Sequence, residues 1–189
     1  MLQLIAGVDE VGRGAWAGPI VAAAVILDTP INGLKDSKVL SRDVREKLAE
    51  IIQTSCVAYA ICELSSTVID EIGIAEANRL VMRQTIAKLG VAPTLVRIDG
   101  FSCGTNITEE VYIKGDAIYP EISAAAIIAK VYRDNLMRQL HFQYPQFGFD
   151  HHVGYGTTKH RKALDQYGPT LHHRKSFKPM RCQRMDKSL

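Results

Sequence analysis

The sequence predicts an α/β fold, a central sheet with helices packed on it, and three observations carry that expectation. Two short apolar runs, 2–8 and 20–27, have strand character and are separated by a glycine-rich, charged turn. A third run, 56–64, alternates loosely, and after two helical stretches come two more short β runs, each stopping at an Asp/Gly pair. Antiparallel-type strands, then helices, then further strands suit one sheet covered by helices. The 189 residues are 47% hydrophobic and 23% charged, which fits one ordinary domain with room for a core.

Each element has its own justification. The first strand ends at Asp9-Glu10-Val11-Gly12-Arg13-Gly14, which reads as a turn, and Gly18-Pro19 leads into the second, so the pair forms a hairpin. β-Branched residues make 20–27 a buried strand, although its three alanines weaken the pattern. Ser41 caps a helix over 43–52 with Val44, Leu48, Ile51 and Ile52 as its apolar positions. Segments 65–72 and 75–89 have helical spacing, the second stopping at Gly90. Runs 94–98 and 111–114 are short strands ending at Asp99-Gly100 and Gly115-Asp116. The longest helix, 121–142, starts with alanines that let it lie close to the sheet. Residues 148–156 read as a loop, 157–167 as a helix, and the remainder as irregular and basic; Met82 and Met137 belong to the core. The expected organisation is a single domain, with a core over about 2–142 and a basic, partly helical C-terminal region over about 143–189.

Composition narrows the function classes. The longest apolar runs are about eight residues, well short of the roughly 18 that a bilayer span needs. Residues 1–7 carry no basic flank and run into Asp9-Glu10, so no signal peptide is expected. The four cysteines form no C-x-x-C pair and no zinc spacing, which points to a reduced, cytoplasmic setting. The net charge of +3 is unevenly spread: residues 130–189 hold 12 Lys/Arg against 4 Asp/Glu, and the first 129 hold 11 against 16. A basic segment beside a carboxylate-rich one suits a polyanionic substrate gripped by the first and processed by metal ions on the second. A basic tail that binds nothing in particular is the plainer alternative.

Asp9, Glu10, Asp99 and Asp116 all fall at strand ends, where rigid backbone holds a carboxylate at an open sheet edge. If they converge, mutual repulsion raises their pKa values unless a cation neutralises them, and an all-oxygen set selects Mg2+ or Mn2+ over zinc. Neighbours on a regular strand point to opposite faces, so Asp9 and Glu10 share a site only if the strand ends or bulges there; Gly12 and Gly14 are the expected break. For any single Asp beside a Gly, a solvated turn is the usual outcome; the set lifts the functional reading. Gly12-x-Gly14-x-x-Ala17 loosely matches a dinucleotide fingerprint, but a second strand-like run follows where that motif needs a helix. With Arg13 between them, these glycines suit close approach of a phosphate or sugar, a mere tight turn being the alternative.

Seven strings then appear in order between residues 4 and about 177: Asp9-Glu10-Val11-Gly12-Arg13-Gly14, Leu34-Lys35-Asp36-Ser37-Lys38, Ile98-Asp99-Gly100, Lys114-Gly115-Asp116, Ala129-Lys130-Val131-Tyr132-Arg133-Asp134, Gly154-Tyr155-Gly156-Thr157 with His160, and His173-Arg174-Lys175-Ser176-Phe177. Together they resemble the motifs of bacterial ribonuclease HII, the type 2 ribonuclease H. The resemblance implies a ribonuclease H-like fold, a central mixed sheet flanked by helices. It also implies endonucleolytic cleavage of the RNA strand in RNA–DNA hybrids and 5′ to single ribonucleotides embedded in duplex DNA. Under it Asp9, Glu10, Asp99 and Asp116 are the catalytic metal ligands. Two Mg2+ or Mn2+ ions roughly 4 Å apart would flank the scissile phosphate, giving 5′-phosphate and 3′-hydroxyl ends. Gly12, Arg13 and Gly14 resemble the family's backbone sensor of the ribose 2′-hydroxyl, the group that separates RNA from DNA at one nucleotide. Tyr155 matches a tyrosine that stacks on the neighbouring sugar, and two flanking glycines leave it little room to be core.

Lys35, Ser37 and Lys38 match a phosphate-contacting segment, an ordinary solvated loop being the alternative. Asp134 is left out of the metal set, since pairing with Arg133 or Arg138 competes with a distant metal role. His160, His172 and His173 could touch phosphate, yet a lone histidine is more often structural. The chain departs from the family pattern at Ala15-Trp16 and at Ser123, and Trp16 bears on substrate preference. Ribonuclease HIII shares these motifs but carries an additional N-terminal domain, for which no space is expected before residue 9. A non-catalytic hybrid-binding protein would lack one of the acids, and none is missing. A monomer is expected, and the C-terminus shows no sliding-clamp docking pattern.

Overall fold

The computed structural model describes residues 3–34 and 40–180. Their strands form one mixed sheet in the order β3-β2-β1-β4-β5, from β1 (Ile5–Val11), β2 (Ile20–Ile26), β3 (Ala58–Leu64), β4 (Leu95–Asp99) and β5 (Glu109–Tyr112). β2 pairs antiparallel with both β1 and β3, as the hairpin pattern predicts. β4 joins the other edge of β1 in parallel and β5 continues in parallel. The helices are α1 (Arg42–Ser55), α2 (Ser66–Ile72), α3 (Ile74–Ala87), α4 (Pro120–Gln143), α5 (Phe149–His152) and α6 (Thr158–Tyr167). Hydroxyls start three of them: Ser41, Ser65 and Thr157 accept the N–H of Val44, Val68 and His160.

Alternation along the strands assigns the two faces. Ala6, Val8, Ile20, Ala22 and Ala24 pack with Val81, Met82 and Ile86 of α3. Val21, Ala23 and Val25 face Ala124, Ala125 and Ile128 of α4 and Leu48 and Ile52 of α1. A third cluster, built on Met137, Phe147, Phe149 and Leu164, fastens the C-terminal helices to the far end of α4. The alanines that weaken β2 as a strand by propensity are what let a helix seat closely on each face.

The start of α4 lies against β1. A methyl group at Gly7 would fall 2.1 Å from the Glu121 carbonyl carbon and 2.3 Å from the Ile122 nitrogen, both backbone atoms that cannot swing aside. Gly7→Ala is therefore expected to destabilise by about 1–3 kcal/mol, a fall of roughly 2–12 °C in Tm at this chain length. A thermal melt unchanged within a degree would show that α4 can slide away at no cost.

Three boundaries differ from expectation. β1 does not stop at Val8, because Asp9, Glu10 and Val11 keep pairing with Ala23, Ala22 and Val21 of β2; a strand with a partner continues through charged residues. β5 covers 109–112 rather than 111–114, aided by an ion pair from Arg97 on β4 to Glu110 at 2.9 Å. Asp116 consequently sits in a 3-10 turn, Gly115–Ala117, rather than at a strand end. The loop expected at 148–156 contains the short helix α5, a fourth departure.

Candidate active site

β1 and β4 run parallel, and their pairing ends at Val8↔Ile98. Beyond it both strands continue and a notch opens between their carboxyl ends, where open α/β sheets place ligands. Asp9 lies on the α4 side of β1, in register with Gly7, and is 9% exposed. Asp99 closes β4; its Oδ1 accepts the Gly115 N–H at 2.9 Å, which ties it to the turn that carries Asp116. Lys114, before that turn, adopts a left-handed conformation with φ 61°, and Asp116 is 8% exposed.

Electrostatics tie the four carboxylates together. Burial raises the Asp9 pKa well above the usual carboxylate range, and the charges of Glu10, Asp99 and Asp116 raise it further, while the Glu10 N–H, 2.7 Å from Asp9 Oδ1, opposes the rise. Burial also raises Glu10; the Arg13 charge pulls it back, Asp99 pushes it up, and the Asn78 amide on α3 lowers it. Glu10 therefore reaches the notch from the α3 side of the sheet, opposite Asp9. The expected break between them is absent: β1 stays regular through Val11, and adjacency to the notch, not a bulge, brings both side chains to it. Among the described residues no three Asp, Glu, His or Cys side chains stand at metal-ligand spacing. The chemistry nevertheless fits a hard divalent cation, because the donors are all carboxylates and the charges of Glu10, Asp99 and Asp116 all raise the Asp9 pKa, a repulsion that a bound cation would relieve.

The glycine loop follows directly. Gly12 has φ 91°, and a methyl group there would strike Arg133 Nε at 2.1 Å. Arg13 and Gly14 are exposed, and the Arg13 guanidinium sits 5.2 Å from the centroid of Phe101, just past Asp99. Tyr155, 38% exposed, lies over the loop, with its Cε1 3.8 Å from where a Gly14 methyl would be. Trp16 packs beneath: a methyl at Gly156 would overlap its indole at 2.1 Å, and Arg161 stacks on it at 5.6 Å. Lys35, Ser37 and Lys38 lie outside the described residues. Asp134 pairs with Lys130 at 2.8 Å rather than with Arg133 or Arg138, and stays outside the carboxylate group.

The histidines are structural links in a buried chain. The Thr170 N–H donates to His173 Nδ1 at 2.9 Å, so neutral His173 carries its proton on Nε2. His160 Nδ1 lies 3.0 Å from the Tyr155 carbonyl, which can only accept, so His160 Nε2 is free to receive the His173 proton across 3.0 Å. Protonating either ring sets two N–H groups against each other. Burial lowers His160 to about 4 and His173 to about 3. Both values lie below the unfolded value near 6.5, so their contribution is complete above about pH 6.5 and is lost as pH falls from there towards 4 and 3. Melting temperature should drop by several degrees between pH 6.5 and 4, less so in His160→Asn, which keeps the donor to Tyr155 without titrating. Equal slopes in the two proteins would remove the histidine pair as the cause.

A mixed sheet with helices on both faces, and acidic side chains gathered at the ends of its central parallel strands, defines a ribonuclease H-like nuclease. A family model described as ribonuclease HII matches residues 6–180. The chain is 48% identical over 182 residues to the ribonuclease HII of Burkholderia pseudomallei, and likewise to that of Burkholderia thailandensis; each alignment covers 95% of this chain and 85% of the relative. Among solved structures, ribonuclease H2 from Pyrococcus horikoshii superposes with a TM-score of 0.81 at 27% identity, covering 96% of this chain and 97% of that one. The Archaeoglobus fulgidus ribonuclease HII, solved in complex with PCNA, gives 0.81 at 28% over the same shares. Bst-RNase HIII, at 21% identity and 0.77, shares the fold. The chain belongs to the ribonuclease HII family, metal-dependent endonucleases with ribonuclease H activity on RNA–DNA hybrids. No helix among the described residues is long and apolar enough to cross a membrane. Residues 181–189, the segment in which the sequence shows no sliding-clamp docking pattern, lie outside the described residues.

Sequence reasoning missed two residues here. Arg133 and Arg174 are fully buried, although arginine is ordinarily a surface residue. Their places in two of the seven strings were the available signal.

Proposed function

We propose that this protein nicks duplex DNA 5′ to single embedded ribonucleotides as well as cleaving the RNA strand of hybrids, with Asp9, Glu10, Asp99 and Asp116 holding two Mg2+ or Mn2+ ions. The observation that carries the reading is the adjacency of three features: the carboxylates at the ends of β1 and β4, the exposed Arg13-Gly14 segment that follows β1, and the Tyr155 ring beside Gly14. A nucleotide on the loop would place its phosphate towards the carboxylates and its sugar against Tyr155. Held by these carboxylates, the ions would supply a nucleophilic water at neutral pH and charge stabilisation of the leaving 3′ oxygen.

This chain's own groups do the rest. Gly12, Arg13 and Gly14 would present backbone to the 2′-hydroxyl, Gly12 pressed against Arg133 beneath the loop and Gly14 leaving its outer face without a side chain. Tyr155 packs on the adjacent sugar and favours deoxyribose there. Asp99, oriented by the Gly115 N–H, keeps one oxygen engaged and the other available as a ligand. Lys35, Ser37 and Lys38 complete the reading as phosphate contacts, and the chain acts as a monomer.

The test is a duplex DNA containing one ribonucleotide, incubated with purified protein and either Mg2+ or Mn2+. Cleavage 5′ to the ribonucleotide, leaving 3′-hydroxyl and 5′-phosphate ends, is the expected result. Cleavage of long hybrids alone would withdraw the single-ribonucleotide claim.

A further inference from the structure

Arg133 of α4 and Arg174 near the C-terminus have no accessible surface, and among the described residues neither meets a carboxylate at ion-pair distance. Every hydrogen-bond partner they have there is a backbone carbonyl. Arg133 donates from Nε to Pro19 at 2.9 Å, from Nη2 to Ala17 at 3.2 Å and from Nη1 to Val153 at 2.9 Å. Arg174 donates from Nε and Nη2 to Gly18, at 3.1 and 3.0 Å, and from Nη1 to Arg13 at 2.9 Å. Burial, then the neighbouring Arg133 charge, lowers Arg174 to about 9, so it remains cationic at neutral pH.

Burying two repelling cations costs stability, and the more distant charges of Asp134 and Asp70 offset only part of it for Arg133 and Arg174, so their geometry has to account for them. Arg174 joins Arg13 to Gly18 and closes the glycine loop on itself. Arg133 joins the end of that loop to Val153, two residues before Tyr155. Val153 is β-branched yet held at φ 43°, a conformation such residues avoid. Gly12 lies so close over the Arg133 side chain that no Cβ fits between them. A planar fork with fixed donor directions suits such a joint, and an ammonium on a flexible stem does not.

We propose that Arg133 and Arg174 form a two-guanidinium clamp that fixes the Gly12-Arg13-Gly14 loop against the Tyr155 loop, making them positioning residues for telling ribose from deoxyribose. The proposal rests on the reading of those loops as the sugar-sensing surface. Lysine separates the clamp from mere positive charge, because it keeps the charge and loses the fork.

In an Asp99→Asn background, which removes turnover, affinity is compared for two short duplexes differing in one 2′-hydroxyl. The parent should prefer the ribonucleotide duplex; equal affinity there would sink the sugar-sensing reading itself, whatever the arginines do. With the parent discriminating, Arg133→Lys and Arg174→Lys should each reduce the preference by roughly tenfold or more while hybrid binding through the phosphates persists. Undiminished preference in both folded variants overturns the clamp. Hydrogen exchange on the unsubstituted protein tests it without any variant having to fold. The Trp16 and Gly18 amides, bonded to Gly154 and His172 carbonyls at 2.8 and 2.9 Å, should exchange as slowly as those of β2. Exchange as fast as in exposed loops overturns the clamp.

Discussion

Asp9→Asn is expected to abolish hydrolysis and at the same time make the metal-free protein more stable. Asp9 is buried, and three further carboxylates raise its pKa on top of the burial cost, so at neutral pH its charge opposes folding. A group whose folded pKa is raised favours the fold below its unfolded value near 3.9 and loses that contribution as pH rises through the folded value. An amide of the same shape removes the penalty, and relief of this kind is commonly worth about 0.5–2 kcal/mol. Hydrolysis should fall by about a thousandfold or more, since a metal contributes several kcal/mol to such a transition state. Added Mg2+ or Mn2+ should raise the Tm of the parent more at pH 7.5 than at pH 5, and should hardly move that of Asp9→Asn. Turnover near the parental rate in Asp9→Asn would remove it from the metal site. A lower Tm in chelator would show that its packing outweighs the repulsion.

Gly12→Ala and Gly14→Ala should differ sharply although they lie two residues apart. At Gly12 the backbone is left-handed, and the new methyl would meet Arg133 Nε at 2.1 Å and its Cδ and Cζ at 2.8 Å. Arg133 cannot yield as a free side chain would, because three carbonyls hold its guanidinium. Strain of about 1–3 kcal/mol joins an overpacking cost of similar size. Tm should fall by roughly 4–24 °C, and displacement of the loop should reduce cleavage about a hundredfold in the protein that remains folded. At Gly14 the methyl meets Tyr155 at 3.8 Å, an ordinary contact on an exposed loop. That variant should melt within about a degree of the parent, as neutral surface changes do. Comparable losses of stability at the two positions would show that Arg133 moves easily and that the close approach does not determine the residue.

Much of the fold was legible because it depends on local pattern. The apolar runs of β1 and β2, the cap Ser41 and the alanine-rich start of α4 each state their element within a few residues. Asp9 and Glu10 were placed in a turn because charge and glycine mark turns, yet pairing with Ala23 and Ala22 carries the strand through them. That pairing belongs to β2 and is invisible in a window around residue 9. The same limit shifted β5, whose register is held by Arg97 and Glu110 across two strands.

The candidate site divides in the same way. Side-chain chemistry and position along the chain nominate the four carboxylates and the glycine loop as candidates, while the resemblance carried by seven ordered strings nominates Tyr155 and gives the family. Which face each acid occupies, and what lies under the loop, followed only from packing. Arg133 and Arg174 read as surface cations until the fold encloses them, since burial and a partner's identity are set by segments over a hundred residues apart. Sequence by itself determined the strands, the helix starts, the donor types and the family. Tertiary structure decided that Asp9 and Glu10 approach from opposite faces, that the histidines form a neutral chain to Tyr155, and that two guanidiniums join the loops. These are properties of distances between segments, and no local pattern encodes a distance to residues it does not contain.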